Sequence, residues 1–441
     1  MAEVRKQEHE NIADLPKGFK MTELGPLPEE WEVVQLGDIF EEIDRRVKDE
    51  NEPDIPLLSI TRYNGLVLQS QKFEKRVAGK DIRNYKVVRR GEMVYGFPMD
   101  EGVIHFLWNF DKGAVSPVYF TWRKKKDDAD SHFLDYALRT PQMIEIYQLY
   151  TSRTVHRRRI VHPRDFKRIN VPLPPLPEQR AIAYVLRTVQ RAKEATERDI
   201  QATRELKKSL MRHLFTYGPV PIDEAERVPL KETEIGLVPE HWGVVRVGEV
   251  GEVITGRTPS TERQEYWNNG SIPFITPPDL DGRAIRYAKR TITKDGLKEA
   301  RPLPRGTVLV SCIGYIGKVG VTDTDLSVTN QQINAIIPNN MENWFLAYAL
   351  IHEAALLENR ARMTTVPILN KTNFEKIPIP LPPLPEQQEI SRILRVVDKK
   401  IEAEEARKQA LEALFKTLLH NLMTGKIRVK DPTILNTWEV K

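Results

Sequence analysis

The sequence predicts an α+β protein: two tandem mixed α/β domains related by internal duplication, each followed by a long helix, the two helices forming an antiparallel coiled coil. Three observations predict it. The octapeptide PLPPLPEQ occurs at Pro172–Gln179 and again, letter for letter, at Pro380–Gln387, 208 positions further on. Other blocks recur around it in the same order, the sign of a chain built from one unit used twice. Beyond each octapeptide, Glu178–Tyr217 and Glu386–Thr424 contain neither glycine nor proline.

The duplication is nearly whole-length. TELGPLPEEWEVVQLGD from Thr22 matches TEIGLVPEHWGVVRVGE from Thr233, keeping Gly25/Gly236, Pro28/Pro239, Trp31/Trp242, Val34/Val245 and Gly37/Gly248. IPLLSI from Ile55 matches IPFITP from Ile272, RGEMV from Arg90 matches RGTVLV from Arg305, and FLDYAL from Phe133 matches FLAYAL from Phe345. DFKRINVPLP and NFEKIPIPLP complete the series. Colinear blocks of this kind do not arise from compositional bias.

Each half opens with an alternating apolar run after a tryptophan: Trp31, Val33, Val34, Leu36 and Trp242, Val244, Val245, Val247. These read as strands, as do later Val, Ile and Tyr clusters separated by Gly, Pro and Asn, such as Gly306–Val321. Phe133–Tyr147 and Trp344–Leu357 carry apolar residues at helical spacing, and each reads as one helix. The two long runs read as helices with a proline in the first turn, a glutamate favoured by the dipole, and the stop signals Gly218 and Gly425. About 40 residues at roughly 1.5 Å each make rods of about 60 Å.

The second rod keeps a four-three spacing through Ile390, Leu394, Val397 and Ile401, then Leu411, Phe415, Leu418 and Leu422, a coiled-coil seam. In the first rod the same frame gives Ile182, Leu186, Val189, Ile200, Leu210 and Leu214, with Lys193, Thr196, Thr203 and Lys207 between them. The competing reading is packing of each stripe on the helix's own domain. The length of the rods favours a second partner, most simply the other rod.

At 441 residues the chain exceeds what one core normally serves, so two or more domains are expected. With 40% hydrophobic and 29% charged residues it reads as soluble and globular, and its one cysteine, Cys312, excludes an internal disulfide framework. The first twenty residues are polar, and no apolar run approaches the roughly 20 residues of a membrane helix, so a cytoplasmic protein is expected. Net charge is only +5, but basic residues cluster. Arg153, Arg157, Arg158, Arg159, Arg164, Lys167 and Arg168 stand against the single acid Asp165, with His156 and His162 among them. The matching stretch of the second half carries Arg360, Arg362, Lys371 and Lys376. A solvated basic loop is one reading and a phosphate-contacting surface the other.

Catalytic readings fail on chemistry. Thr276–Asp279, TPPD, superficially resembles the motif with which amino-methyltransferases hold a base, but it lacks the terminal aromatic that stacks on it. Gly314–Lys318, GYIGK, is followed by Val319, so no hydroxyl is available for a nucleotide-bound magnesium. The nine histidines show no paired ligand spacing, and one cysteine cannot build a zinc site. No catalytic residue and no metal ligand is assigned. The octapeptide could serve as a proline-rich ligand, but its place at the mouth of two long helices reads as a structural joint.

Assembled, these residues resemble the DNA-specificity subunit of type I restriction-modification systems. The resemblance runs from Thr22 to about Ile427. Its most specific pieces are the PLPPLPEQ joint with its long helix in both halves, GRTPS…EYWNNGSIPF at Gly256–Phe274, and TNQQINAIIP at Thr329–Pro338. The first half departs from it, with IDRRVKDENEPDIPLL for the GxTP-type segment and GAVSPVYFTW for the TNQQ run.

The resemblance implies a non-catalytic DNA-binding protein with target-recognition domains at 22–172 and 233–380 and spacer helices at 173–218 and 381–427. Around these lie an N-terminal tail at 1–21, a linker at 219–232 and a C-terminal tail at 428–441. Each domain would read one part of a split double-stranded target. Two copies of a methyltransferase subunit would dock, bringing S-adenosylmethionine, and in some systems a motor-nuclease subunit using ATP and magnesium joins them. The chain itself would hold no cofactor. The alternatives are a specificity subunit of a methylation-only or type II-like system, a self-sufficient nuclease or methyltransferase, and a coiled-coil adaptor without DNA.

Arginine and lysine suit guanine and phosphate, while asparagine and glutamine suit adenine. The candidate DNA-contacting residues are therefore Arg89, Arg90, Arg153, Arg157, Arg158, Arg159, Arg305, Lys318, Arg360, Arg362 and Lys371, with Asn64, Asn268, Asn269, Asn330, Gln331 and Gln332. For the amides the competing reading is turn formation.

Overall fold

The computed structural model describes residues 15–50, 55–62, 64–72, 81–125, 127–151, 160–361 and 366–429. The chain divides into two compact units. One takes the chain up to Ala195 together with the stretch from Lys408, and the other takes Thr196–Arg407. Each long helix thus contributes a segment to both.

The first unit is built on an antiparallel sheet in the order Phe40–Ile43, Phe120–Lys124, Met93–Tyr95, Ile104–Phe106. Its core contains Trp31, Phe40, Tyr95, Trp122, Phe133 and Phe166. The second unit has a five-stranded sheet in the order Gly251–Thr255, Ile333–Pro338, Val308–Ser311, Val319–Thr322, Ala284–Ile285. A four-stranded sheet follows the order Arg290–Ile292, Ile272–Ile275, Leu326–Thr329, Leu303–Pro304. Mixed helix and sheet content is as expected.

Both units close in the same way. The strand after the tryptophan pairs antiparallel with the strand that carries the start of the octapeptide: Glu32–Gln35 with Asn170–Leu173, and Gly243–Arg246 with Pro378–Leu381. The chain then runs straight into the long helices Leu176–Tyr217 and Leu384–Met423. Pro177 and Pro385 occupy the first turn, where a missing N–H costs nothing.

The motif residues that follow explain the identity. The buried indole of Trp31 donates to Glu178 at 3.0 Å, and that of Trp242 donates to Glu386 at 2.9 Å. Gln179 accepts the backbone N–H of Asp130 at 2.7 Å and donates to the Pro174 carbonyl at 2.7 Å. Gln387 repeats this with Glu342 and Pro382, both at 2.9 Å. Asp130 and Glu342 are the N-caps of Ser131–Ala137 and Asn343–His352. One Glu-Gln pair therefore ties the long helix to the opening strand and to the next helix. The octapeptide is a joint.

Charge around the joint differs between the halves. Arg428 donates to both oxygens of Glu178, at 2.6 and 2.8 Å, and to Glu30 at 2.7 Å. The position of Glu30 is His241 in the second half, and it meets Glu386 directly at 2.8 Å.

Two readings change. Phe133–Tyr147 is two helices, Ser131–Ala137 and Pro141–Tyr150, because Thr140 caps the second at Met143 N and Pro141 takes its first turn. Trp344–Leu357 likewise splits into Asn343–His352 and Ala354–Arg360 at Glu353, which leaves helical geometry with ψ 18.

The apolar stripes of the long helices serve mainly the unit cores. Ile182, Leu186 and Leu422 are in the core of the first unit, with Phe415 and Leu418 packed against it. Ile390, Leu394 and Leu214 are in the core of the second, with Leu210 packed against it. Ile200 and Ile401 are buried outside these clusters, while Val189, Val397 and Leu411 are half-buried. Between the helices, within the second unit, Lys207 pairs with Asp398 and Arg204 with Glu405, both at 2.6 Å.

The glycine stops behave as expected. Gly218 and Gly425 have φ of 81 and 67, and a Cβ on Gly425 would lie 2.3 Å from Pro28 Cγ.

Two stability predictions follow from this packing. Removing Glu178 leaves a buried indole N–H and a half-buried guanidinium without their acceptor. Glu178→Ala is expected to cost about 3 kcal/mol and Trp31→Phe about 1 to 2 kcal/mol in urea unfolding. Glu353 is half-buried against Phe215, Ile235, Val238 and Pro380, and burial pushes its carboxyl from 4.5 up to about 7. The fold therefore favours the protonated form, and stability falls as pH rises from about 4.5 through about 7. Glu353→Gln should raise the melting temperature above pH 7 and leave it unchanged below pH 4.

Candidate nucleic-acid interface

In the second unit four chain segments meet at one end of the five-stranded sheet. The GRTPS segment lies against the TNQQ turn: Gly256 N–H donates to the Ile333 carbonyl at 3.0 Å and Arg257 N–H to the Thr329 carbonyl at 2.9 Å. Only glycine fits the first position, since a Cβ on Gly256 would stand 2.1 Å from the Asn330 carbonyl oxygen. The GYIGK loop joins through Cys312 N–H, which donates to the Gln332 carbonyl at 2.7 Å. The fourth segment arrives through Gly314 N–H to the Pro367 carbonyl at 3.0 Å and Leu369 N–H to the Cys312 carbonyl at 2.8 Å.

The GYIGK loop is firmly held. Ser311 hydroxyl donates to the Tyr315 carbonyl and accepts the Lys318 N–H, and Gly317 N–H returns to the Ser311 carbonyl at 3.0 Å. On this pinned loop the Tyr315 ring is 76% exposed, with Lys318 Nζ 5.2 Å from its centre. Lys318 of this loop is among the DNA-contacting candidates that the sequence offers, and Tyr315 is not. The signal is an aromatic residue in a short loop between Gly314 and Gly317.

The TNQQ amides differ in availability. Asn330 and Gln332 close on each other, through Asn330 Nδ2 to Gln332 Oε1 at 2.8 Å and Gln332 N–H to Asn330 Oδ1 at 3.1 Å. Gln331 is exposed, and its Oε1 accepts the Thr258 hydroxyl at 2.7 Å.

Other candidates sit apart from this cluster. Arg305 is at the opposite end of the strand Val308–Ser311 and is held by Asp323 at 2.7 Å and Asp325 at 3.1 Å. Its repeat counterpart Arg90 is paired with Asp111 at 2.9 Å, and Arg89 with Glu50 at 3.2 Å. Lys371 pairs with Glu375 at 3.5 Å. Asn268 and Asn269 are exposed turn residues, Asn269 with φ 59. Their neighbour Trp267 donates to the Ser260 carbonyl at 2.9 Å, so this turn flanks the GRTPS segment. Arg360 ends its helix, exposed and with no ion-pair partner among the described residues. Arg153, Arg157, Arg158, Arg159, Arg362 and His156 lie outside the described residues.

The first unit places different chemistry at the corresponding sheet end. Asn64 is exposed in the turn Thr61–Gly65, where its N–H donates to Thr61 Oγ1 at 3.0 Å. His105 Nε2 donates to the Arg62 carbonyl at 3.2 Å beneath this turn. Burial, with Arg139 nearby, holds the His105 imidazole down at about 4, so it is neutral. His105 pairs across the hairpin with Val94, as Gly320 does with Leu309 in the second unit. A histidine thus fills one sheet where the other has glycine against Ile285 and Leu280.

The type I restriction modification DNA specificity domain matches this chain twice, at residues 28–205 and 239–413. The chain belongs to the type I restriction-modification DNA specificity family. It is 27% identical over 431 residues to the type I restriction enzyme MjaVIII specificity subunit of Methanocaldococcus jannaschii, covering 92% of this chain and 95% of the relative. It is 34% identical over 229 residues to the MjaIX specificity subunit of the same organism, covering 48% of this chain and 52% of the relative. In fold it is similar to the S subunit of a type I restriction-modification system from M. genitalium, with a TM-score of 0.58, 17% identity, and coverage of 89% and 96% of the two chains. DNA recognition is the role that fits this family. Among the described residues no helix is long and apolar enough to cross a membrane, and no group of three or more metal-ligating side chains occurs.

For a DNA-reading family member the ion pairs decide which cations remain for phosphate. Lys318→Ala is expected to weaken DNA binding alike across sequences and to lower the slope of log affinity against log salt by about 1. Arg305→Ala, already neutralised by two aspartates, should leave that slope unchanged.

Proposed function

We propose that this chain is the non-catalytic, sequence-reading subunit of a type I restriction-modification complex and that it reads a bipartite double-stranded DNA target, one part with each half. The observation that carries this reading is the contrast between joint and reading end. The joint is repeated down to its individual hydrogen bonds, Trp31 to Glu178 and Trp242 to Glu386. The segments at the reading end have diverged, GRTPS and TNQQ in one half facing IDRRVKDENEPDIPLL and GAVSPVYFTW in the other. A repeated frame with unlike tips suits two readers of unlike sequences.

The repeated joints offer two equivalent docking surfaces, so two methyltransferase subunits bind, with S-adenosylmethionine on them and not on this chain. A motor-nuclease subunit using ATP and magnesium completes the complex where restriction accompanies methylation. The long helices act as an antiparallel coiled-coil spacer, a role supported by the ion pairs of Lys207 with Asp398 and Arg204 with Glu405. The complex works in the cytoplasm.

The test is an exchange. Purified with its methyltransferase partner, the chain should direct adenine methylation to a split site. Replacing residues 22–172 with the equivalent domain of a relative should change one part of that site and leave the other intact. Methylation unchanged by the exchange would refute the reading.

A further inference from the structure

The joint and the core residues Ile390 and Leu394 hold the second reading domain to the first turns of its long helix. Farther along the same helix two carboxylates extend the hold. Asp398 Oδ1 pairs with the Lys207 ammonium at 2.6 Å, and its Oδ2 accepts the Tyr348 hydroxyl at 2.6 Å. Glu405 Oε1 accepts from the Arg204 guanidinium at 2.6 Å, and its Oε2 pairs with that of Arg283 at 2.7 Å. Lys207 and Arg204 belong to the first long helix, Tyr348 and Arg283 to the reading domain. Each carboxylate therefore gives one oxygen to the other helix and one to the domain.

Asp398 and Glu405 stand one heptad apart on one helix face, opposite cations spaced i, i+3. Their side chains are only 12% and 23% exposed, so salt screens these pairs less than pairs at the open surface. Arg283, with Arg204, holds the Glu405 carboxyl below the usual carboxylate range.

The first unit treats the same places differently. Lys207 aligns with Phe415, Asp398 with Gln190 and Tyr348 with Tyr136. Tyr136 and Phe415 meet edge to face at 5.9 Å, and Gln190 turns its amide to Glu194 of its own helix at 2.8 Å. Arg283, which follows Gly282 as Leu66 follows Gly65, aligns with a residue buried in an apolar cluster. One half thus attaches this part of its domain by apolar contact, and the other by directional ion pairs.

That direction is what a reader at a fixed distance needs. Apolar packing is non-directional and tolerates small rotations, whereas a carboxylate with both oxygens engaged fixes an angle. The hold reaches about 28 Å along the helix from Glu386 to Glu405. A gap one base pair too long or too short displaces a half-site by about 3.4 Å and turns it by about 34°. A modest swing of the domain would follow such a target.

We propose that Asp398 and Glu405 are positioning residues: by pinning the second reading domain to both helices they make the complex reject targets whose half-sites are right and whose gap is wrong. This rests on the bipartite reading proposed above.

The experiment uses the full chain assembled with its methyltransferase and S-adenosylmethionine. Methylation rates are measured on duplexes that keep both half-sites and carry the natural gap, or a gap one base pair longer or shorter. The wild type should strongly prefer the natural gap. Combining Asp398→Gln with Glu405→Gln should raise the off-gap rate relative to the natural one about tenfold, with the bases preferred in each half-site unchanged. Tyr348→Phe, which removes a single hydroxyl, should shift the ratio the same way by a smaller factor, and it decides the matter if the double variant does not assemble. Lys207→Phe combined with Asp398→Gln installs the residues of the first unit and should restore the discrimination that Asp398→Gln alone loses. An unchanged ratio, or a rate lowered equally at every gap, would overturn the assignment, since it marks the carboxylates as structural only. A changed base preference in the second half-site would overturn it too. A wild-type complex that methylates no split target would overturn the bipartite reading itself and this inference with it.

Discussion

A buried tryptophan that donates to a carboxylate in the first turn of a 42-residue helix is the contact on which the rest of this protein depends. Burying a carboxylate is costly unless its oxygens are satisfied. Glu178 meets that condition with an indole and a guanidinium, and Glu386 with an indole and an imidazole. The neighbouring glutamine satisfies a helix N-terminus that would otherwise leave a buried N–H unpaired. Each partner comes from a different part of the domain, so the orientation of the long helix is fixed by polar geometry as well as by apolar packing. Drift at either residue would break at least two connections at once, which accounts for the identity of the motif in two halves that differ widely elsewhere.

Much of this frame was legible in the sequence because it rests on local rules. Uninterrupted runs ending at Gly218 and Gly425, and prolines in the first turn, follow from backbone sterics. What Glu178 and Gln179 contact could not be read, since Trp31 and Asp130 are brought to them only by the fold. The same limit applies to the apolar stripes. Ile182 and Leu186, or Ile390 and Leu394, have the spacing of a helix seam, and the same spacing serves a helix lying on its own domain. Reading Phe133–Tyr147 as one helix passed over the break at Thr140, although a threonine followed by proline is a helix-start signal.

The candidate site was legible in its segments and not in its residues. GRTPS and TNQQ stood out as motifs, and the fold joins them through Gly256 and Arg257. Composition could not reveal that Asn330 and Gln332 meet each other while the exposed Gln331 meets Thr258. Nor could charge alone reveal that Arg90 and Arg305 are held by aspartates while Lys318 stands beside an exposed ring. Availability depends on neighbours distant in sequence. The two halves reuse one frame and vary what it presents, down to the exchange of His105 for Gly320 within equivalent hairpins.

The central claim is a division of labour: the repeated joint and helices hold geometry, and the diverged tips hold sequence information. It is tested most directly by inserting four residues, about one helical turn, into both long helices, after Ala195 and after Arg407, where the compact units divide. Mapping methylated sites of the assembled complex then compares gap and half-sites. The account predicts both half-sites unchanged and the gap between them longer by one or two base pairs, since four residues add about 6 Å. Altered half-sites with an unchanged gap would contradict it.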